Sequence, residues 1–236
     1  MVQPVPGCQT CRTYGSEVLT HPLIVEAAET LFVPLAIHNN KPGHDAEVLK
    51  RFGEPAWNNP VVRIVTADGT DLQPRLAGNY SAAGLANAMA QALIRRQGKA
   101  PAWLQLLADE LTAAQRGTAK ATYSMYCFWT GEALFGELNG VVRTTAGFQN
   151  GKEVVAVEYD PLVITREQLD RIAKDSRCFA EAGGSFSPDK TPKYYLSNSP
   201  YAAIPMTEAQ KCRVNAALAR KQDPSDFLSP RQAANR

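Results

Sequence analysis

Histidine is nearly missing from this chain. Its three copies, His21, His38 and His44, all fall in the first fifth of 236 residues. A catalytic cysteine–histidine pair in the second half is therefore excluded. Neither a second C-x-x-C nor an H-x-x-x-H accompanies the Cys8-to-Cys11 pair, so the usual zinc spacing is absent. No metal and no other cofactor is expected. An excess of one charge is lacking too: 25 Lys and Arg face 23 Asp and Glu, a formal net charge of +2. That gives no basis for a nucleic-acid partner or an anionic membrane surface. The longest apolar runs are short, so no bilayer-spanning segment is expected. The stretch from Met1 to Pro6 has no apolar core of the kind a signal peptide needs. The sequence reads as a soluble protein, either cytoplasmic or exported with its leader absent from this chain.

What is present is enough apolar material for a proper core, 44% of residues, and five cysteines, an odd number: Cys8, Cys11, Cys127, Cys178 and Cys212. That is too few for a dense disulfide framework. Cys127 is the most informative. A strand-like run, Ala121 to Tyr126, precedes it, and a helical pattern, Glu132 to Leu138, follows. A thiol at a strand-to-helix junction faces the positive end of the helix dipole and unpaired backbone N–H groups. Both favour thiolate, the reactive form. Phe128 and Trp129 follow at once and can hold a small apolar group against the sulfur.

The first ~98 residues alternate helical and strand-like patterns. Pro22 to Glu29 is helix-compatible, and Leu31 to Ile37 reads as a buried strand. Asp45 to Phe52 is an amphipathic helix. Pro60 to Val65 is a strand, Asp68-Gly69 a turn, and Leu72 to Leu76 the paired strand of a hairpin. Ser81 opens a helix running to about Arg96. Residues 99–117 read as a helical connector, with Pro101 near its start and Trp103, Leu104, Leu106, Leu107 and Leu111 on an apolar face. Residues 118–236 form the rest, ending in a polar, extended tail from Gln222.

Cys127-Phe128-Trp129, Glu132, Phe135, Leu138, Gly140-Val141, Thr144 and Gly147 fall at the spacings CFWGxExxFxxLxGVxxTxxGY. In this the chain resembles the type A peptide methionine sulfoxide reductases. Lys152 to Thr165 is similar to that family's HAExVxVxYDPxxIS segment. The likeness runs from near residue 119 to about 220. It implies an α/β (α+β) domain that reduces methionine-S-sulfoxide, in peptides or free, to methionine. Cys127 would attack the sulfoxide sulfur and leave as a sulfenic acid. Phe128 and Trp129 would contact the methyl group, and Glu153 would supply the proton. Tyr194 would bind the sulfoxide oxygen, with Tyr195 and Tyr201 as alternatives, and Asp189 would hold a water or a substrate amide. The chain departs from the family at four points. Tyr126 replaces a small residue and Thr130 a glycine. Phe148 occupies a substrate-binding position where a tyrosine is usual. The segment before Lys152 is shortened.

The N-terminal element order resembles a thioredoxin-like domain of the kind carrying cysteine or selenocysteine after Val-Pro-Gly. The resemblance implies that Cys8 attacks, that Cys11 resolves, and that the Asn59–Pro60 bond is cis. A strand would be expected before the cysteines, here reduced to Met1–Val5. Residues 1–98 would then be a built-in reductant for residues 118–236, itself fed by an upstream thiol donor. The thiol that resolves Cys127 is open among Cys178, expected in a mobile loop, Cys212, expected in a helix from Thr207 to Arg220, and Cys8 directly. Two other readings are a thiol–disulfide oxidoreductase and a redox sensor whose second half has lost sulfoxide binding.

Overall fold

The computed structural model describes residues 8–39, 41–55 and 60–235. It is a mixed helix-and-sheet structure that divides into two compact units, residues 1–108 and 109–236.

The first unit begins with α1 (Gln9–Thr13), which continues into a π-helical turn, Tyr14–Val18. There follow α2 (Pro22–Leu31), α3 (His44–Phe52), β1 (Val61–Val62), β2 (Leu76–Ala77) and α4 (Ala82–Gln97). Ser81 caps α4 by accepting from the Gly84 N–H, the role expected of a serine before an apolar-periodic run. α5 (Ala102–Arg116) begins here, with Trp103, Leu104, Leu106 and Leu107 buried. Tyr14, Ile24, Ala27, Leu85, Ala86 and Met89 make up much of the core. The hairpin forms around Asp68-Gly69, where Gly69 takes a left-handed φ of 90°. Its strands are shorter than expected: Val61–Val62 pairs with Leu76–Ala77, and Val65 bridges Asp71.

The strand expected over Leu31 to Ile37 does not form. Leu31 is the last residue of α2, the stretch beyond Phe32 is irregular, and Val33 and Leu35 stand exposed at 86% and 68%. No described strand lies alongside to pair with it, and Pro34 has no N–H to offer a ladder. The expected strand at Met1–Val5 and the Asn59–Pro60 bond lie outside the described residues; Pro60 itself is buried.

The second unit is an antiparallel sheet with helices on one face. Its elements are β3 (Ala119–Ser124), α6 (Phe128–Gly136), β4 (Val141–Gln149), β5 (Lys152–Tyr159), α7 (Arg166–Asp175), β6 (Phe179–Glu181), β7 (Phe186–Pro188), α8 (Tyr194–Ser197), α9 (Glu208–Ala219) and α10 (Pro230–Ala234). The strand order is β6-β3-β5-β4-β7. Register puts Ala121 beside Val157, Tyr123 beside Val155, Thr144 beside Val157 and Ala146 beside Val155. With side chains alternating along each strand, these residues share one face. Phe135 of α6 and Leu169 and Ala173 of α7 pack into the same cluster as Tyr123, Val155 and Val157. Phe135 stacks on Tyr123 at 4.8 Å between ring centres. α9 adds Cys212, whose sulfur lies 3.6 Å from the Thr144 hydroxyl.

Capping boxes start α7 at Thr165/Gln168 and α9 at Thr207/Gln210. The Glu110 carboxylate also accepts from the Glu208 and Ala209 N–H groups, at 3.2 and 3.1 Å. A negative group there meets the positive end of the α9 dipole.

The segment after Gln222 is not an extended tail. It makes a 3₁₀ turn, Ser225–Phe227, and then α10. Leu228 joins a small core with Leu196, Tyr201, Ile204 and Val214. The Gln210 and Gln232 amides bond each other, and each reaches a further carbonyl, of Phe227 and Pro205. Of the polar residues that suggest a solvated tail, Gln232 is spent on this buried amide pair and the buried Ser229 caps α10.

Candidate functional site

The site assembles where α6 meets the ends of β4 and β5. Cys127 is extended (φ −139°, ψ 108°) and is the last residue before α6, half-buried, with no cap bond from its side chain. The helix begins at Phe128, earlier than the Glu132 start expected. The reason is Glu153, the second residue of β5, whose Oε2 accepts from the Phe128 N–H at 3.0 Å. The carboxylate satisfies one of the orphan donors of the helix start and is thereby brought beside Cys127. The Met125 N–H donates to the Glu153 carbonyl at 3.2 Å, tying the approach to Cys127 onto β5.

Around this pair lie four aromatic rings. Phe148 sits opposite Glu153 in the β4–β5 register. Its ring meets Phe128 edge-on, with 5.2 Å between centres, and it remains 45% exposed. Phe128 is buried and adjoins Trp129 at 5.4 Å. The Trp129 indole is held twice. Tyr194 stacks on its face at 4.0 Å and 16° between planes, and its N–H donates to Asp189 Oδ2 at 3.2 Å. Of the tyrosine alternatives, Tyr195 meets Tyr194 edge-on, and Tyr201 is buried in the C-terminal cluster. The structure therefore brings Cys127, Phe128, Trp129, Phe148, Glu153, Asp189 and Tyr194 together. Asp189 Oδ2 is occupied by Trp129 and by the Thr191 N–H at 3.3 Å, so this carboxylate fixes the indole. Tyr126 points away, fully exposed, and does not narrow the site.

The loop bearing Asp189 and Tyr194 is fastened from below by two residues to which the sequence reading gave no role. Glu132 of α6 is wholly buried. It accepts from the Ala146 N–H at 3.1 Å, the Lys193 N–H at 2.8 Å and the Lys193 ammonium at 3.3 Å. The ammonium also donates to the Thr144 carbonyl. The one signal for this was a glutamate inside an apolar helix and a lysine just before Tyr194, which is weak evidence by itself.

The two resolving candidates are enclosed. Cys178 lies in the sheet core cluster, 6% exposed, and burial pushes its thiol upward. Its S–H donates to the Ser176 carbonyl at 3.5 Å. Cys178 does lie in the connection between α7 and β6, as expected of a loop position, but there it is buried and its N–H is bonded to the Ala173 carbonyl at 2.7 Å. Cys212 is fully buried within α9.

In the first unit Cys8 is the N-cap of α1 and accepts from the Cys11 N–H at 3.2 Å. The Cys11 S–H donates to Cys8 Sγ at 2.6 Å. That bond, first among several, holds the Cys8 thiol below its ordinary value. Cys8 is half-exposed and Cys11 buried. Among the described residues no cluster of three or more His, Cys, Asp or Glu is placed to hold a metal ion, and no helix is long and apolar enough to cross a membrane.

No family model matches the chain. Among curated proteins it is similar to a peptide methionine sulfoxide reductase of Drosophila melanogaster, 39% identical over 64 residues, which are 22% of this chain and 26% of that protein. Peptide methionine sulfoxide reductase A5 of Arabidopsis thaliana is 40% identical over 67 residues, 23% of this chain and 26% of that protein. A longer match, to peptide methionine sulfoxide reductase MsrA of Klebsiella pneumoniae (strain 342), is 32% identical over 129 residues, 48% of this chain and 58% of that protein. The chain thus spans between about a quarter and three-fifths of the length of these relatives.

Proposed function

We propose that the second unit is an oxidoreductase that reduces methionine-S-sulfoxide to methionine. The observation that carries this reading is the carboxyl of Glu153 on the N–H of Phe128, the residue after a half-exposed Cys127, with a chain of contacting rings, Phe148, Phe128, Trp129 and Tyr194, leading from Phe148 beside Glu153. A sulfoxide needs a sulfur nucleophile, a proton for its oxygen and an apolar seat for its methyl group, and these residues supply one each. The Cys127 thiolate attacks the sulfoxide sulfur. Glu153 protonates the oxygen, and Tyr194 hydrogen-bonds it. Phe128 and Trp129 hold the methyl group. Cleavage of the intermediate frees methionine and leaves Cys127 as a sulfenic acid. A second thiol then condenses with it, releasing water and forming a disulfide, so one sulfoxide consumes two thiols.

The first unit, in this reading, is a thioredoxin-like reductant fused to the enzyme. Support comes from Cys8 at the start of α1, its lowered thiol and Cys11 one turn on. Because Cys178 and Cys212 are buried, the dithiol or an outside thiol meets the oxidised Cys127 directly. Tethering raises the local dithiol concentration to the order of millimolar, and an upstream thiol donor restores it.

The test is turnover of S- and R-epimers of a methionine sulfoxide peptide with dithiothreitol as reductant. The S-epimer is consumed, the R-epimer is not, and Cys127→Ser loses turnover. Insulin reduction with no sulfoxide turnover would instead establish a thiol–disulfide oxidoreductase.

A further inference from the structure

We infer that the buried pair Glu132–Lys193 positions the oxygen-binding tyrosine, making Lys193 a positioning residue for the reaction proposed above, on which this inference rests. Lys193 is 6% exposed and stands in the left-handed region (φ 55°, ψ 58°), immediately before Tyr194. A non-glycine residue persists there only when its surroundings hold it. Here both ends of the residue are gripped. Its backbone N–H and its ammonium each donate to Glu132, and the ammonium also reaches the Thr144 carbonyl.

Glu132 lies one turn beyond Trp129 on α6, so the two residues face the same way. The carboxylate therefore links three things at fixed distances: the helix carrying Trp129, the Ala146 backbone of β4, and the residue that sets the direction of Tyr194. Ala146 closes the circuit, because its carbonyl accepts from the Asp189 N–H at 2.9 Å, and Asp189 holds the Trp129 indole. Both sides of the Trp129–Tyr194 stack thus rest on one carboxylate. Without the Lys193 charge the left-handed turn relaxes and the Tyr194 hydroxyl moves off the sulfoxide oxygen. The methyl seat on Phe128 and the thiol stay in place.

The experiment is a kinetic cycle with Lys193→Gln and Tyr194→Phe, singly and together, using the S-sulfoxide peptide and dithiothreitol. Lys193→Gln keeps a donor toward Glu132 and Thr144, so it folds more readily than Lys193→Met. We expect kcat to fall about tenfold to a hundredfold with little change in KM, the cost of a misplaced catalytic group. We expect no further fall when Lys193→Gln is added to Tyr194→Phe. Multiplicative losses in the double variant, or an unchanged kcat in a folded Lys193→Gln protein, would overturn the inference. Fluorescence provides a separate readout. Relaxing the stack changes the Trp129 emission, obtained as the difference from a Trp129→Phe protein. If the wild-type protein shows no sulfoxide turnover, the proposed reaction fails, while an unaltered Trp129 signal in Lys193→Gln defeats the positioning role by itself.

Discussion

The β4–β5 register places Phe148 beside Glu153. Its ring is partly exposed and packs only edge-on against Phe128, so a hydroxyl can be added without crowding the core. Phe148→Tyr is expected to raise kcat/KM for the S-sulfoxide by about fivefold, the worth of one hydrogen bond of about 1 kcal/mol, measured by steady-state turnover. Cys8 offers a second test. Its thiol is lowered chiefly by the Cys11 S–H, so its thiolate persists to lower pH than an ordinary thiol's. Alkylation of reduced protein, followed by mass spectrometry against pH, should label Cys8 at lower pH than Cys178, whose thiol burial pushes the other way. Cys11→Ala, which removes that donor, should move the Cys8 profile upward. Cys127, Phe128 and Trp129 were legible as a group because they are consecutive, whereas Glu153 was singled out from the separate Lys152-to-Thr165 segment. The Glu132–Lys193 pairing was not legible, since its partners are 61 residues apart and a glutamate inside an apolar helix does not name the residue it will meet.

The helix expected from Thr207 to Arg220 forms as α9, Glu208–Ala219, with Thr207 opening it in a capping box. The C-terminal segment was misread because its two prolines and its polar residues suggest solvation, whereas Leu228 and the Gln210–Gln232 amides seal a small core. Leu228→Ala should therefore cost about 3 kcal/mol, measured by urea unfolding, where an extended tail would cost nothing. The missing strand at Leu31 to Ile37 shows the opposite error. Its apolar run satisfies the pattern of a buried strand, but a strand exists only with a partner, and pairing is a long-range fact that local composition does not carry.

At the scale of the molecule, Cys8 and Cys11 lie in one unit and Cys127, Cys178 and Cys212 in the other, and in the proposed function recycling falls to the first and sulfoxide attack to the second. Cys8→Ser should spare turnover driven by dithiothreitol and abolish turnover driven by a protein thiol donor. Equal loss in both assays would show that Cys8 has no part in recycling. The short sheet of the first unit was not foreseeable, since few of its residues pair. The bond from the Phe128 N–H to Glu153 gives the cycle a mechanical sense. A protonated carboxyl is a poorer acceptor than a carboxylate, about half as strong. In the proposed reaction Glu153 gives its proton to the sulfoxide oxygen, and the carboxylate so formed would accept from the Phe128 N–H more strongly just as Cys127 is oxidised. On that reading the contact would act as a latch on the helix start, firmer while the spent sulfur awaits its reductant and looser while the next sulfoxide is admitted.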